Sequence, residues 1–317
     1  MALKIIRYIV IFTVGILLIH QIFVHGDELA KLPVLFLSAN KSFILLAFLG
    51  YLLEYVADGL LSKILLQVVG YRLRLLNTLR IAIIDVFAAQ ILPFGEAGAV
   101  ATSAYFYKKM GVTNKDIVFL SFFWAVLTSF ALVLIGVLSL PFLPLHKAIL
   151  LPQGNLILLW LIVFLVIAGI IISLFIFLFK NHLKKFIEKI EIIQTIKTYK
   201  KNIIANKSLM GISLICAFGY YTMQILILFA SLAAFNIYPG VSVIIFSFTI
   251  SLVITWISLI PGGVGVAEVS LSAFFLSFNL PASEVFAGVL LYRIFSFWIP
   301  LGLGGVTYFS LRGKPLR

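Results

Sequence analysis

The chain has 317 residues, of which 63% are hydrophobic and 11% are charged, and its formal net charge is +13. A soluble domain carries about 45–50% apolar and about 25% charged residues and could not bury this much apolar surface, which excludes a water-soluble globular fold. The basic residues stand in short loops between apolar runs, which is typical of membrane topology, so nucleic-acid binding is excluded as well.

Six apolar runs are long enough to cross a bilayer, whose hydrocarbon core of about 30 Å needs roughly 20 residues of helix. They are 5–25, 42–69, 115–140, 154–180, 208–235 and 283–310. The first has Lys4 and Arg7 at its start and no small-x-small cleavage site after it. We therefore expect it to be a retained first helix and not a signal peptide.

Two further apolar segments, 78–109 and 241–278, are each interrupted by proline and glycine. If each segment is a hairpin that returns to the side from which it enters, most of the 24 basic residues face the cytoplasm. If 78–109 crossed only once, the connector 180–207 with its eight lysines would face outward. We therefore predict two hairpins, with both termini and the connector in the cytoplasm of a cell-membrane protein.

These features predict an all-α polytopic membrane protein with a single transmembrane domain over 1–317 and about eight helical segments. Six would be full spans and two would be Pro/Gly-broken hairpins. The arm 78–92 would be only about 22 Å long, which favours re-entrant hairpins, whereas 241–260 is long enough to cross. Full crossing of the hairpins stays an alternative.

The two interrupted segments belong to an apparent inverted repeat. A shift of 168 positions places five residues of the first half on similar or identical residues of the second: Pro93 on Pro261, Gly95 on Gly263, Phe106 on Phe274, Asp116 on Glu284 and Gly136 on Gly304. The order helix, broken hairpin, helix occurs in 42–140 and again in 208–310, and the two units start on opposite sides of the membrane. Inverted repeats with broken helices indicate a transporter, although a duplication kept only for folding is the alternative.

Ionisable residues inside the apolar segments are the third signal, because each costs about 2.5–3.5 kcal/mol at the centre of a membrane helix. They are Glu54, Asp58, Asp85, Glu96, Glu268 and Arg293. We expect each to be paired, protonated or lining a polar cavity. Glu54, Asp58 and Asp85 are candidates for a coupling role or for bridging helices. Arg293 lies too deep in its predicted helix to reach the membrane surface.

The two breaks have chemistry of their own. A helix that starts after Pro93 or Pro261 exposes unpaired N–H groups and the positive end of its dipole at membrane depth. Nearby glycines allow another group to approach the backbone closely. Two such helix starts together with Arg293 predict a site for a phosphate or carboxylate. Glu96 and Glu268 would couple to protons or hold a cationic group.

At these breaks the chain resembles the transmembrane region of lysylphosphatidylglycerol synthases and its stand-alone, flippase-like relatives. The resemblance rests on Pro93–Glu96 followed by Gly111-Val112, and on 261–268 followed by 290–293. It implies a lipid translocase. The substrate-binding residues that we predict are Pro93, Gly95, Glu96, Pro261, Gly262, Gly263, Gly265, Glu268, Tyr292 and Arg293. Only 311–317 follow the last predicted span, so we expect no synthase domain.

The leading hypothesis is a non-enzymatic flippase for an anionic or zwitterionic phospholipid or a lipid-linked sugar. A secondary transporter of a small anion is the first alternative and an intramembrane lipid-modifying enzyme is the second. No serine-hydrolase elbow, zinc-protease motif or paired aspartate motif is present, and Cys216 is the single cysteine. We therefore expect no catalytic residue, no metal and no cofactor. A separate lipid-synthesising enzyme or glycosyltransferase is the expected partner.

Overall fold

A computed structural model describes residues 30–92, 95–144, 199–258 and 260–313. The predicted spans 5–25 and 154–180, most of the connector 180–207, Pro93 and the side chain of Glu96 lie outside the described residues. Within the described ranges every regular element is a helix, and no strand is present. This agrees with the predicted class, because in lipid a helix satisfies its own backbone hydrogen bonds.

The described helices alternate between long spans and the shorter arms of two hairpins. In chain order they are α1 (Leu32–Ser38), α2 (Lys41–Val68), α3 (Leu75–Ile91), α4 (Glu96–Lys109), α5 (Asn114–Ser139), α6 (Lys207–Ala233), α7 (Val241–Ser258), α8 (Val266–Ser277), α9 (Ala282–Arg293) and α10 (Ile299–Arg312). A π-helical segment, Ile294–Trp298, joins α9 to α10 without a break. Short 3₁₀ turns cover Leu140–Phe142 after α5 and Pro261–Gly263 before α8.

Four helical stretches are long and apolar enough to cross a membrane: Lys41–Val68, Asn114–Phe142, Lys207–Ala233 and Ala282–Arg312. They coincide with the four predicted spans that fall within the described residues, which confirms those four predictions. Large apolar side chains cover the outside of these helices; Phe309 is 69% exposed and Phe130 is 52% exposed. Such surfaces require lipid as their solvent.

The hairpin arms are shorter than the spans. The helices α3 and α4 have 17 and 14 residues, and α7 and α8 have 18 and 12. At 1.5 Å per residue these lengths are about 25, 21, 27 and 18 Å, each below the roughly 30 Å of a bilayer core. The arm α3 starts at Leu75 and is therefore longer than the predicted 78–92. Each hairpin packs its two arms against each other.

The centre of the bundle is the pair α2 and α6, which has the most extensive contact of any described helix pair. The N–H of Asn40, just before α2, donates to the carbonyl of Ala234, just after α6, at 2.9 Å. The two helices are therefore antiparallel. A Cβ on Gly50 of α2 would lie 3.1 Å from Ile227 of α6, so a small residue permits this close packing, as is common between membrane helices.

Each hairpin also packs against the last span of the opposite half. The arm α3 contacts α10, and the arm α7 contacts α5. Gly304 lies where a Cβ would come within 2.7 Å of the carbonyl of Ile83, and Gly136 lies where a Cβ would come within 2.9 Å of Thr249. Glycine at both positions therefore lets a hairpin arm approach the span closely.

Candidate functional site

The break of the second hairpin is built on two glycines with left-handed backbone. Gly262 has a φ of 61° and Gly263 a φ of 60°, which side chains other than glycine rarely adopt. A Cβ on Gly262 would lie 2.3 Å from the ring of Phe297, and one on Gly263 would lie 2.1 Å from the methyl group of Thr255. The turn is thus pressed between α7 and the π-helical segment, and only glycine fits.

Arg293, the last residue of α9, extends into this turn. Its Nε donates to Oε1 of Glu268 at 2.8 Å, and its Nη2 donates to the carbonyl of Gly262 at 2.8 Å. The Arg293 side chain is 7% exposed, whereas the Glu268 side chain is 24% exposed. Arg293, a charge deep in the membrane that we expected to be paired, therefore forms an ion pair with Glu268 of the second half. Glu268 is the more exposed residue of the pair.

The guanidinium group is held on a further side by an aromatic ring. The Cζ of Arg293 lies 4.7 Å from the centroid of Phe297, within range for a cation–π contact. Two of the five guanidinium N–H donors are used by Glu268 and Gly262, which leaves the other three without a hydrogen bond to the described residues. These donors give the site its capacity to bind an anionic oxygen.

The start of α8 differs from the open helix terminus that we predicted. Oε2 of Glu268 accepts a hydrogen bond from the N–H of Gly265 at 2.8 Å, while Oε1 accepts from Arg293. The carboxylate of Glu268 therefore occupies the place at the helix terminus that we had assigned to an anionic ligand. An incoming anion would meet the remaining donors of Arg293 and not the Gly265 N–H.

The first break lies against the second through the end of α3. Gly95 has a φ of 44°, so the left-handed backbone occurs here as well. Near the other side of this break, Gln90 packs with Cγ 3.4 Å from where a Gly262 Cβ would stand. Nε2 of Gln90 donates to the carbonyl of Ser296 at 3.1 Å. The two hairpins therefore meet around Gln90, Gly262 and the π-helical segment.

Proline explains why Gln90 is needed at this point. Pro300 has no N–H to donate to the carbonyl of Ser296 one turn earlier, and an unsatisfied carbonyl is costly away from water. Gln90 supplies the missing donor from α3. Its own Oε1 is buried and has no hydrogen-bond partner among the described residues. An unpartnered polar atom at a buried site indicates a place for a water molecule or a ligand.

A second polar cluster lies on α2. Glu54 is 9% exposed and Asp58 is 6% exposed. Nε2 of Gln224 on α6 donates to Oε1 of Glu54 at 2.9 Å, and Nε1 of Trp124 on α5 donates to Oδ1 of Asp58 at 2.7 Å. Both carboxylates thus bridge α2 to a neighbouring helix, one of the two roles that we predicted for them. Asp85 of α3 lies within electrostatic range of the buried Tyr107 of α4, the other arm of the first hairpin.

Tyr292 joins the two clusters. Its side chain is 7% exposed and lies within electrostatic range of Glu54, Arg293 and Glu268. Because Tyr292 and Arg293 are adjacent, the end of α9 contributes one residue to each cluster.

The structure brings seven of the ten predicted binding residues to the second break: Pro261, Gly262, Gly263, Gly265, Glu268, Tyr292 and Arg293. Gly95 lies at the first break, whereas Pro93 and the side chain of Glu96 lie outside the described residues. Sequence reasoning missed four partners: Gln90, Trp124, Gln224 and Ser296. The two glutamines carried a usable signal, because an amide within an apolar run requires a partner.

The model of the family described as the lysylphosphatidylglycerol synthase TM region matches residues 5–304. The chain belongs to this family. The resemblance predicted from the two breaks is therefore confirmed over nearly the whole chain. As a member of the lysylphosphatidylglycerol synthase TM family it is an integral membrane protein, and both breaks and both polar clusters fall inside the matched region.

Three relatives are named UPF0104 membrane proteins. The one from Methanocaldococcus jannaschii is 24% identical over 332 residues, covering 98% of this chain and 97% of the relative. The one from Pyrococcus horikoshii is 40% identical over 62 residues, which cover 20% of this chain and 18% of the relative. The one from Methanothermobacter thermautotrophicus is 29% identical over 102 residues, covering 32% and 30%. The chain thus spans less than a third of the length of two of these relatives and nearly all of the third.

Proposed function

We propose that this protein is a non-enzymatic lipid translocase of the cell membrane, which moves a phospholipid or a lipid-linked headgroup between leaflets. The observation that carries the proposal is the buried guanidinium group of Arg293, some of whose N–H donors are not used by Glu268 or Gly262. It lies at a glycine break inside a bundle whose outer surfaces are apolar. A phosphate binds such a planar cation well. The acyl chains would stay in lipid outside the bundle while the headgroup crosses inside it.

An inverted repeat over 42–140 and 208–310 forms part of the proposal, because it gives two exchangeable conformations around one site. The helix bounds support it. A shift of 168 positions places α3 on residues 243–259, which nearly coincide with α7 (Val241–Ser258). The same shift places α5 on residues 282–307, within the stretch Ala282–Arg312 that α9 and α10 form. The antiparallel α2 and α6, and the matching contacts of α3 with α10 and of α7 with α5, also fit two inverted halves.

The hairpins would be re-entrant and would open to opposite sides. Lys109 at the end of α4 donates to the carbonyl of Arg312 at the end of α10, so the first hairpin opens where the last span ends. Ser242 at the start of α7 donates to the carbonyl of Phe142 after α5 at 2.8 Å, so the second hairpin opens where α5 ends. The positive-inside rule assigns the first side, with both chain termini, to the cytoplasm.

The test is translocation by the purified protein in phosphatidylcholine vesicles that contain fluorescently labelled phosphatidylglycerol, with an external quencher to report the outer leaflet. Arg293→Lys keeps the positive charge beside Glu268 but cannot hold Gly262 and a headgroup together, because lysine has no planar fork. Loss of one or two charge-assisted hydrogen bonds, about 1.5–3 kcal/mol each, predicts translocation slower by at least about tenfold. Arg312→Lys, the same exchange at the exposed end of α10, serves as the matched control and is expected to leave the rate unchanged.

Three results would contradict the proposal. Equal rates for Arg293→Lys and Arg312→Lys would remove Arg293 from the headgroup site. Uptake of radiolabelled glycerol phosphate into the vesicles, without movement of the labelled lipid, would indicate the small-anion transporter. A change in the mass of the lipid after incubation with the protein would indicate an enzyme.

A further inference from the structure

The acidic cluster on α2 holds a carboxylate that the headgroup site does not use. Glu54 stands at the midpoint of α2 (Lys41–Val68), about 20 Å of helix from either end. It is 9% exposed, and its one described hydrogen bond comes from Gln224 on α6. In the described part of the chain no lysine or arginine lies within ion-pair distance of it. An ionised carboxylate in this position is costly, since an uncompensated buried charge is strongly destabilising.

Among the described residues, the groups that surround Glu54 are acidic or neutral. The ionisable groups in electrostatic contact with it are Asp58, Tyr51 and Tyr55 on its own helix and Tyr292 on α9. The helices α5 and α6 contribute Trp124 and Gln224, which do not titrate. Arg293 interacts electrostatically with Tyr292 and is paired with Glu268. Asp85 and Asp58 both interact electrostatically with Tyr107.

A second observation concerns Tyr51, which precedes Glu54 by about one turn of α2. The hydroxyl of Tyr51 is buried, with the residue 3% exposed, and has no hydrogen-bond partner among the described residues. It lies within electrostatic range of Glu54. A buried hydroxyl without a partner is available to accept a hydrogen bond.

We infer that Glu54 binds and releases one proton in each translocation cycle, so that the proton gradient drives the lipid movement. This inference rests on the proposed translocase function. In the ionised state the carboxylate accepts from Gln224. When a proton binds to a carboxylate oxygen, the new O–H needs an acceptor, and the unused oxygen of Tyr51 provides one. The other carboxyl oxygen still accepts from Gln224, but that hydrogen bond loses its charge assistance and becomes weaker. Binding of the proton therefore loosens the contact between α2 and α6, which belong to different halves of the bundle.

Glu54 is also well placed to be reached from both sides in turn. It lies at the contact of the two antiparallel central helices, which is where access must switch if the halves move against each other. The proton is the cation that such a tightly surrounded carboxylate can accept without a larger cavity. Asp58, one turn further along α2, is held by the indole of Trp124 within the first half, and we assign it a structural role.

The experiment uses the same vesicles with a difference of one pH unit across the membrane. Coupling of one proton to each lipid predicts that labelled phosphatidylglycerol accumulates in one leaflet by up to about tenfold, since a tenfold ratio corresponds to about 1.4 kcal/mol per pH unit. The asymmetry should disappear when a protonophore collapses the gradient. Its sign would distinguish lipid–proton symport from antiport.

The variant Glu54→Gln tests the residue. Glutamine resembles the protonated carboxyl group and cannot release a proton, so this variant should build no asymmetry from a gradient. In symport, where the neutral form carries the lipid, it should still exchange lipid between leaflets at uniform pH. Asp58→Asn, the matched control, should still build the asymmetry. An asymmetry in Glu54→Gln equal to that of the wild type would overturn the assignment.

The two proposals fail in different ways. Fast lipid exchange in the wild-type protein with no response to the gradient would refute proton coupling and leave the translocase function intact. The absence of any protein-dependent lipid movement, at every pH, would refute the translocase function itself.

Discussion

The ion pair between Arg293 and Glu268 makes a strong prediction about stability. Replacing Arg293 with methionine keeps much of the apolar contact with Phe297 but removes the charge and both hydrogen bonds. Glu268 would then keep its bond from the Gly265 N–H and lose its cation. The carbonyl of Gly262 would lose its donor at a site that the guanidinium group covers.

The size of the effect follows from burial. Removing one partner of a buried ion pair costs about 3–5 kcal/mol, chiefly because the other charge stays behind without compensation. The Glu268 side chain is 24% exposed, so solvent relieves part of the cost. We therefore expect Arg293→Met to lower the free energy of unfolding by about 3 kcal/mol, at the lower end of that range.

A double-mutant cycle separates the pair from its surroundings. Glu268→Gln removes the charge but keeps an oxygen for the Gly265 N–H. The double variant Arg293→Met with Glu268→Gln should be more stable than Arg293→Met alone, with a coupling energy of about 2–3 kcal/mol. Unfolding in mixed micelles by an anionic detergent, followed by tryptophan fluorescence, measures all four proteins. Additivity within about 0.5 kcal/mol would refute the conclusion that the two residues stabilise the fold as a pair.

Three further predictions concern positions outside the ion pair. Gly304→Ala should destabilise the protein by about 1–3 kcal/mol, because a Cβ there meets α3. Gly302→Ala is the control and should be neutral or stabilise the helix, because no atom lies within 4 Å of its Cβ. Thermal unfolding of the two variants measures the difference. Gly263→Ala should slow lipid translocation in the vesicle assay, because its φ of 60° strains the turn by about 1–2 kcal/mol; a wild-type rate would contradict this. Burial and the hydrogen bond to Asp116 raise the pKa of Tyr199 above its ordinary value of 10. The stability that this tyrosine contributes is therefore complete below about pH 10 and is lost as the pH rises through the raised pKa. Tyr199→Phe should remove that loss of stability at alkaline pH, which a pH series of unfolding midpoints measures.

The sequence was most informative where a physical constraint acts on one segment at a time. The four described spans follow from length and apolarity, because the bilayer imposes both. The breaks follow from proline and glycine, whose backbone preferences are local. The charges Glu268 and Arg293 could be singled out from their cost in lipid. Their mutual pairing could not, because it depends on how α8 and α9 pack and the residues are 25 positions apart.

The π-helical segment shows the same limit. Pro300 within a predicted span indicates that a backbone carbonyl one turn earlier loses its donor. The residues near Pro300 in the sequence do not identify the donor that replaces the missing N–H. The donor is Gln90, which lies 206 positions from Ser296 in the sequence and on a different hairpin. The polar residues that sequence reasoning missed thus share one property, which is that their partners come from another helix.

The distribution of these polar contacts over the two halves bears on the movement that the proposed translocation cycle requires. The strongest, Arg293 with Glu268, lies within the second half, and Asp58 with Trp124 lies within the first. Between the halves lie single hydrogen bonds such as those of Gln224 and Gln90. A neutral hydrogen bond such as that of Gln90 contributes about 0.5–1.5 kcal/mol, and one to a carboxylate such as Glu54 about 1.5–3 kcal/mol. Removing one partner of a buried ion pair costs more, about 3–5 kcal/mol. Apolar surfaces that separate in a membrane are covered again by lipid chains, so they add little hydrophobic cost. In the proposed translocation cycle, movement of one half against the other therefore breaks the weaker of these polar contacts and keeps the stronger ones, and it carries Arg293 and Glu268 together as a unit.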